Sequence, residues 1–351
     1  MEADGRRETG DGGVAGRLAR DWRMWAVLAV VAWPAVDVLL PASLQIGTYL
    51  PKILAFAFLA LGVNLVTGST GLLHLGAAAF VAIGAFTFAI VTTPSYPLQV
   101  GFWVGLVLAT AAGGLAGLLL GLPTTRLRGD YLAIATLGFG EIVVDLLKNL
   151  DGITKGTQTI GELPGPTWFG QAMPAMTTTG AWKWWYWFYL VLLGLAVVAL
   201  RNLEHSRIGR GWIAVREDEL AARAMGAAVP RVKLGAFTLG AACCGTGGAL
   251  YACLLGNSSD PSNYDFMLSI MGLCMVILGG MGSIEGVLLG ALVIGGFNVI
   301  VIDKVSQALG TGASMLASLT NWKYLIFGLV LVLMMRYRPA GIIPERRGAR
   351  T

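Results

Sequence analysis

From position 24 onward, long apolar runs alternate with short polar gaps, and the runs are longer than the elements of a soluble core. Crossing a hydrocarbon layer of about 30 Å as a helix takes roughly 20 residues. Runs approaching that length follow one another at 24–41, 50–67, 72–92, 98–122, 131–148, 184–200, 233–255, 267–281, 286–302 and 320–336. The pattern predicts an all-α integral membrane protein, a polytopic bundle of about 8–10 transmembrane helices with some broken at Gly-rich turns. Residues 1–23 mix Gly, Arg, Asp and Glu without periodicity and read as a flexible tail. The run at 24 has a basic flank like that of a signal peptide. Pro34 and Asp37 interrupt it and no small-residue cleavage site follows, so it reads as a retained anchor.

Composition supports a lipid environment: 56% of residues are hydrophobic and 13% charged, against about a quarter charged in soluble domains. The net charge of +5 does not indicate nucleic acid, because the basic residues sit in the gaps between apolar runs and act as topology signals. With the amino terminus inside, Arg126, Arg128, the segment 201–233 and the basic tail 337–351 all fall on the inner side. The longest outer loop is then 149–183, ending in Trp182, Trp184, Trp185, Tyr186 and Trp187, an aromatic cluster suited to the headgroup region. Cys243, Cys244, Cys253 and Cys274 lie in or beside apolar runs without metal-ligand spacing, so they are expected to be free thiols and no metal site is expected.

Two glycine-rich breaks stand out, Gly68-Ser-Thr-Gly71 and Gly279-Gly-Met-Gly-Ser-Ile-Glu-Gly286. In transporters such breaks often mark repeats whose unwound backbone lines the substrate path. They serve equally as tight turns between consecutive spans.

The inner segment 201–233 is long and charged in a chain that has few charges. It predicts a short helix, with Glu217, Asp218 and Glu219 at its start, where the dipole favours negative charge. Gly226 suits the left-handed closing position, and Pro230 then stops the helix. A helix of about nine residues is too short to stand alone in water, so it must dock, either on its own protein or on a soluble partner. The pattern Glu219-x-Ala221-Ala222-x-x-x-Gly226, preceded by Arg216, resembles the loop through which ABC importer permeases engage their ATPases.

Further motifs extend the resemblance: Leu127-Arg-Gly-Asp-Tyr-Leu-Ala-Ile-Ala-Thr-Leu-Gly-Phe-Gly-Glu-Ile142, Ser206-Arg-Ile-Gly-Arg-Gly-Trp212, Arg216-Glu-Asp-Glu-Leu-Ala-Ala-Arg-Ala-Met-Gly226 and Leu278-Gly-Gly-Met-Gly-Ser283. Together they resemble the LivM-type permease subunits of branched-chain amino-acid ABC importers, over residues 52–344. Val215 and Met225 stand where that pattern has Ile and Leu, and Thr159 interrupts a Gly-Gly-Thr-x-Gly-like stretch. The resemblance implies a permease domain over 24–336 in the cytoplasmic (inner) membrane, with 201–233 as cytoplasmic coupling loop and both termini cytoplasmic. It implies as partners a homologous permease subunit, two cytoplasmic ATP-binding subunits, an external solute-binding protein and membrane lipid. Related subunits for urea or short amides share much of the pattern. No Gly-Lys dipeptide occurs, so the chain has no phosphate-cradling loop of its own. ATP is bound by the partners, and no cofactor is expected in this chain.

A charge at the bilayer centre costs at least about 2.5 kcal/mol on insertion scales, so ionisable residues inside spans are functional candidates. Glu141, Asp145 and Lys148 share one helical face; Lys148 is expected to neutralise Asp145 in part, whereas Glu141 lies deeper without an obvious cation. Glu141 either lines the substrate path or bonds a neighbouring helix. Asn64 and His74 flank the first glycine break and either face substrate or satisfy loop carbonyls. Asp37 and Glu285 lie near predicted span ends and are expected to reach water. No Ser/His/Asp or paired-carboxylate arrangement converges, so enzymatic catalysis is not expected. An ion-coupled secondary transporter is the rival reading, and it leaves the inner segment unexplained.

Overall fold

The computed structural model describes residues 46–301 and 313–343 apart from a few loop positions, together with Trp33, Pro34 and Asp37. The chain divides into two compact units, Met1–Thr48 and Tyr49–Thr351. In the first, the Asp37 carboxylate accepts hydrogen bonds from the amides of Ile46 (2.8 Å) and Gly47 (3.1 Å). Asp37 is buried, so the expectation that it reaches water is corrected: two backbone donors take the place of solvent. The expected tail 1–23 and most of the run 24–41 lie outside the described residues.

The second unit is an all-α membrane bundle. Its helices are α1 (Leu50–Val63), α2 (Ala77–Thr92), α3 (Phe102–Thr124), α4 (Asp130–Asn149), α5 (Trp182–His205), α6 (Arg207–Glu217), α7 (Glu219–Ala224), α8 (Val229–Leu255), α9 (Phe266–Gly279), α10 (Ile284–Gly296) and α11 (Ala313–Tyr337). The starts follow local chemistry. Pro51 and Pro230 occupy the first turns of α1 and α8, where a missing amide costs nothing. Asp265 and Ser283 cap α9 and α10 through the amides of Leu268 and Gly286, both at 3.2 Å. Beyond their last α-helical residues, α1 and α10 each run into a π turn, Asn64–Gly68 and Phe297–Val301. Such turns widen the backbone and recur at functional sites.

Among the described residues five helices, Gly47–Gly68, Phe102–Thr124, Trp182–His205, Val229–Leu255 and Pro261–Gly279, are long and apolar enough to cross a membrane, and three shorter ones are apolar. α4 has 20 residues but carries Asp130, Glu141, Asp145 and Lys148, and is not among them.

The packing has an internal correspondence. α8 packs on α1, α2 and α3, α2 packs on α3 and α4, α1 packs on α9 and α10, and α9 packs on α10 and α11. Exchanging α1 with α8, α2 with α9, α3 with α10 and α4 with α11 maps these pairs onto one another, the relation expected of two structural repeats. Under this exchange the break after α1 corresponds to the connection after α8. The two glycine-rich breaks are therefore not equivalent positions; they meet each other instead.

Small residues let the central helices touch. A Cβ on Gly117 of α3 would stand 2.6 Å from the Phe237 carbonyl oxygen of α8, and one on Gly248 of α8 would overlap the Val81 carbonyl oxygen of α2. Backbone contact of this kind is the usual basis of helix association in lipid, where apolar burial gives little drive. Cys243, Cys244, Cys253 and Cys274 are free thiols within the bundle.

On the side where α4 ends and α5 begins, the loop forms a short hairpin, β1 (Thr167–Trp168) antiparallel to β2 (Gln171–Ala172). Trp103 donates to the Thr167 carbonyl (3.1 Å) and Trp185 to that of Pro174 (3.0 Å). The aromatic cluster divides: Trp185 and Tyr186 are buried, while Trp184 and Trp187 face outward, as interfacial anchors do.

Candidate coupling and translocation site

The segment between α5 and α8 folds as two short helices meeting at Asp218, not as one helix from Glu217. Glu217 ends α6. Asp218 is extended, and its carboxylate accepts from the amides of Leu220 (2.8 Å) and Ala221 (3.0 Å), capping α7. Ser206 caps α6 likewise, through Ile208 (3.2 Å) and Gly209 (3.4 Å). Gly226 has φ +87°, the left-handed conformation expected of a closing glycine. Pro230 does not stop this helix; it opens the next.

The segment braces itself on its own chain. Ala222 is buried with Val215 and Val229 in a small apolar cluster. Trp212 is fully buried and donates to the Val232 carbonyl at 2.9 Å. Glu219 pairs with Lys233 at 2.8 Å and with Arg223 at 3.3 Å; the Lys233 side chain is 2% exposed, so Glu219 compensates a buried cation. Turned outward are Glu217, Asp218, Ala221 and Gly226 together with Leu220 (64% exposed) and Met225 (88%). The predicted set thus divides. Glu219, Ala222 and the Asp218 cap hold the segment together, Arg216 packs against Gly71, and Glu217, Ala221 and Gly226, with Leu220 and Met225, are turned outward.

Two contacts tie this segment to the bundle, and a third continues from one of them to α4. Arg201, on α5, pairs with Glu285 at the start of α10 (2.7 Å), so Glu285 is partly exposed and ion-paired. Arg216 lies against Gly71, where an added Cβ would stand 3.2 Å from its Cγ. From Gly71 to Gly76 the chain has no regular secondary structure, and within this stretch the Leu75 amide donates to Thr136 Oγ1 of α4 at 3.1 Å.

The two glycine breaks meet through Asn64. Its Oδ1 accepts from the Gly282 amide at 2.9 Å, a contact between residues 218 apart in sequence. A Cβ on Gly68 would overlap this same Asn64 oxygen. On its other side the second break receives the end of the chain, where the Ile342 and Ile343 amides donate to the Leu278 (2.9 Å) and Gly279 (3.0 Å) carbonyls. Asn64 is buried in this junction and satisfies backbone.

His74 is also buried, stacked on Phe80 and edge-on to Phe237, each at 5.4 Å between ring centres. Neither ring nitrogen has a hydrogen-bond partner among the described residues, so of the two readings of His74 the one that has it satisfy loop carbonyls finds no support there. Glu141 and Asp145 are both exposed on the outer face of α4. Lys148 forms no ion pair with Asp145 among the described residues, contrary to the expected neutralisation. A cavity of about 320 Å³ lies elsewhere, lined by Lys52, Phe56, Tyr251, Asp265, Asn298 and Phe327 among others. It includes none of Asn64, His74, Glu141 or Asp145, and the sequence pattern did not mark it, because its wall comes from segments far apart in the chain. Among the described residues, no group of three or more His, Cys, Asp and Glu is placed to hold a metal ion.

A helical bundle with glycine-mediated seams, two backbone breaks in contact and a braced helical segment between two spans defines a polytopic membrane permease. Residues 45–335 match the family described as branched-chain amino acid transport system, permease component, and the chain belongs to it. It is similar to the high-affinity branched-chain amino acid transport system permease protein LivM of Salmonella typhimurium, 38% identical over 92% of this chain and 75% of that one. The Escherichia coli protein of the same name is 38% identical over 92% and 74%. The Escherichia coli permease protein LivH of such a system is 25% identical over 82% and 91%. No solved structure matches the chain.

Proposed function

We propose that this chain is one permease subunit of an ABC-type importer that carries branched-chain or closely related amino acids across the cytoplasmic membrane, driven by ATP that partner subunits hydrolyse. The observation that carries this reading is the α6–α7 segment, held rigid by caps, Trp212 and the Glu219–Lys233 pair, yet presenting Leu220 and Met225 bare on its surface. Exposed apolar side chains on a braced polar segment suit a groove on a soluble partner. Family membership and the LivM and LivH relatives favour the same assembly: this subunit, a homologous permease, two cytoplasmic ATP-binding subunits and an external solute-binding protein. In this reading both termini and 201–233 are cytoplasmic, 149–183 is external, and the domain within 24–336 is surrounded by lipid.

The chain's own part is mechanical, with no covalent step and no bound cofactor. Movement of the ATP-binding subunits displaces α6–α7 as a unit. Arg216 carries the displacement to Gly71, and Leu75 carries it to Thr136 of α4. Arg201–Glu285 and Asn64–Gly282 carry it to the second break. A ligand or partner biases such a bundle only by binding one of its arrangements better than the other.

The test is co-purification from mildly solubilised membranes of the chain and of its Leu220→Asp/Met225→Asp variant. The expected result is an ATPase recovered with the parent and reduced at least tenfold with the variant, which still inserts. A chain that comes down alone and transports in vesicles without ATP overturns the reading in favour of a secondary transporter.

A further inference from the structure

Threonine hydroxyls in the helices of this bundle follow one habit, and Thr67 departs from it. Thr70, Thr92, Thr110, Thr124, Thr238 and Thr246 each donate to the carbonyl four residues back, at 2.6–2.9 Å. Thr67, in the π turn after α1, is buried, and its hydroxyl has no partner among the described residues. Three other buried side-chain polar atoms of the second unit share that state among the described residues: both ring nitrogens of His74, and Thr93 Oγ1. Three of the four therefore flank one break, Gly68–Gly71. A buried polar group without a partner is a cost that folded chains ordinarily avoid. The surroundings are apolar: His74 lies against Phe80 and Phe237, and Val66 and Leu72 of the same stretch pack with Leu132 and Phe237.

The two groups are complementary. A neutral imidazole carries one donor and one acceptor, and a hydroxyl serves as either. They lie seven residues apart in the chain. Between them is Gly71 at φ +72°, the residue against which Arg216 of the coupling segment lies.

We propose that Thr67 and His74 are positioning residues of the transport cycle, unbonded in the arrangement described here and bonded to each other in a second arrangement, which the break adopts when Arg216 displaces Gly71. The inference rests on the importer reading, which supplies the displacement, and adds the bond that the displacement makes. Bare polar atoms raise the free energy of the present arrangement and so bring the two closer together. A chain without them would be held in the present one.

The test uses the assembled importer with its solute-binding protein in proteoliposomes, and radiolabelled leucine as probe. Thr67→Val keeps the shape and removes the hydroxyl, His74→Phe keeps a stacked ring without its nitrogens, and Thr67→Ser keeps the hydroxyl. Because phenylalanine is larger than histidine, His74→Leu is made beside it. Thr67→Val and at least one His74 variant are expected to melt about 2 °C or more above the parent, since an apolar group replaces a bare polar one. The same variants are expected to lose about fivefold or more in maximal uptake rate, with the half-saturating leucine concentration unchanged within about twofold. The double variant is expected to be no slower than the slower single one, because each removes the same bond. Thr67→Ser is expected to transport as the parent does. A Thr67→Val importer that is stabilised yet transports at the parental rate overturns the proposal, since a merely structural site would give that result. So does one that melts lower, whose hydroxyl is then already bonded, a Thr67→Ser importer as slow as Thr67→Val, or a double variant whose losses multiply. Uptake by the parent that needs no ATP sinks the importer reading instead, so the two failures are distinguishable.

Discussion

The seam where α8 meets α2 and α3 and the segment where α6 and α7 meet α8 share one helix but are held by opposite means. At the seam, glycines bring backbones into contact, and one hydroxyl pair, Thr110 with Thr246 at 2.8 Å, joins α3 to α8. In the segment, small apolar contact is supplemented by two helix caps, a buried indole hydrogen bond and one ion pair over a buried cation. A backbone seam tolerates almost no change of spacing, because interiors are close-packed and do not deform continuously. A capped and ion-paired segment has discrete bonds that can be broken one at a time. The molecule thus places its stiffest contact in the middle of the bundle and its adjustable one where a partner is proposed to push.

Three substitutions test this contrast, from the largest expected effect downward. Gly248→Leu drives a side chain into the Val81 backbone, which cannot yield as a side chain would; overpacking costs about 1–3 kcal/mol where neighbours can move, and more is expected here. Detergent-solubilised protein should aggregate on size-exclusion chromatography, and a monodisperse, heat-stable variant would show that the seam is not rigid. Glu219→Gln leaves Lys233 buried without its anion. Breaking a fully buried pair costs about 3–5 kcal/mol, and because Glu219 is itself partly exposed the expected loss is about 2 kcal/mol, read as proteolysis between α6 and α8 while the bundle keeps its melting temperature. Asp218→Ala removes only the cap of α7, worth about 1 kcal/mol; hydrogen exchange at Leu220 and Ala221 should accelerate several-fold with no change in the bundle.

Helix positions were legible because each crossing writes its own apolar run. The reading 98–122 corresponds to Phe102–Thr124, and 233–255 to Val229–Leu255. Local chemistry was legible at Gly226, whose positive φ follows from a glycine closing a short helix. The sequence put Glu217, Asp218 and Glu219 together at one helix start and did not single out Asp218 as the cap, because capping and first-turn positions favour the same residues. Pro230 was misread because a proline after a helix and one opening the next look alike in sequence. The role of Glu219 depends on Lys233, 14 residues on, and that of Asn64 on Gly282, 218 residues on. Periodicity reports which face of an element is apolar, but not which element lies against it, so neither pairing nor the cavity wall could be read.

The bond between the end of the chain and the second break bears on the order in which the protein can be made. The carbonyls of Leu278 and Gly279 wait for the amides of Ile342 and Ile343. During synthesis these two carbonyls therefore leave the ribosome some sixty residues before the amides that complete their junction. Until then the break touched by Asn64 lacks its other support. Insertion can proceed helix by helix, but the final setting of this junction is a late event, and a chain released before Ile342 would carry every span up to α11 and still lack it.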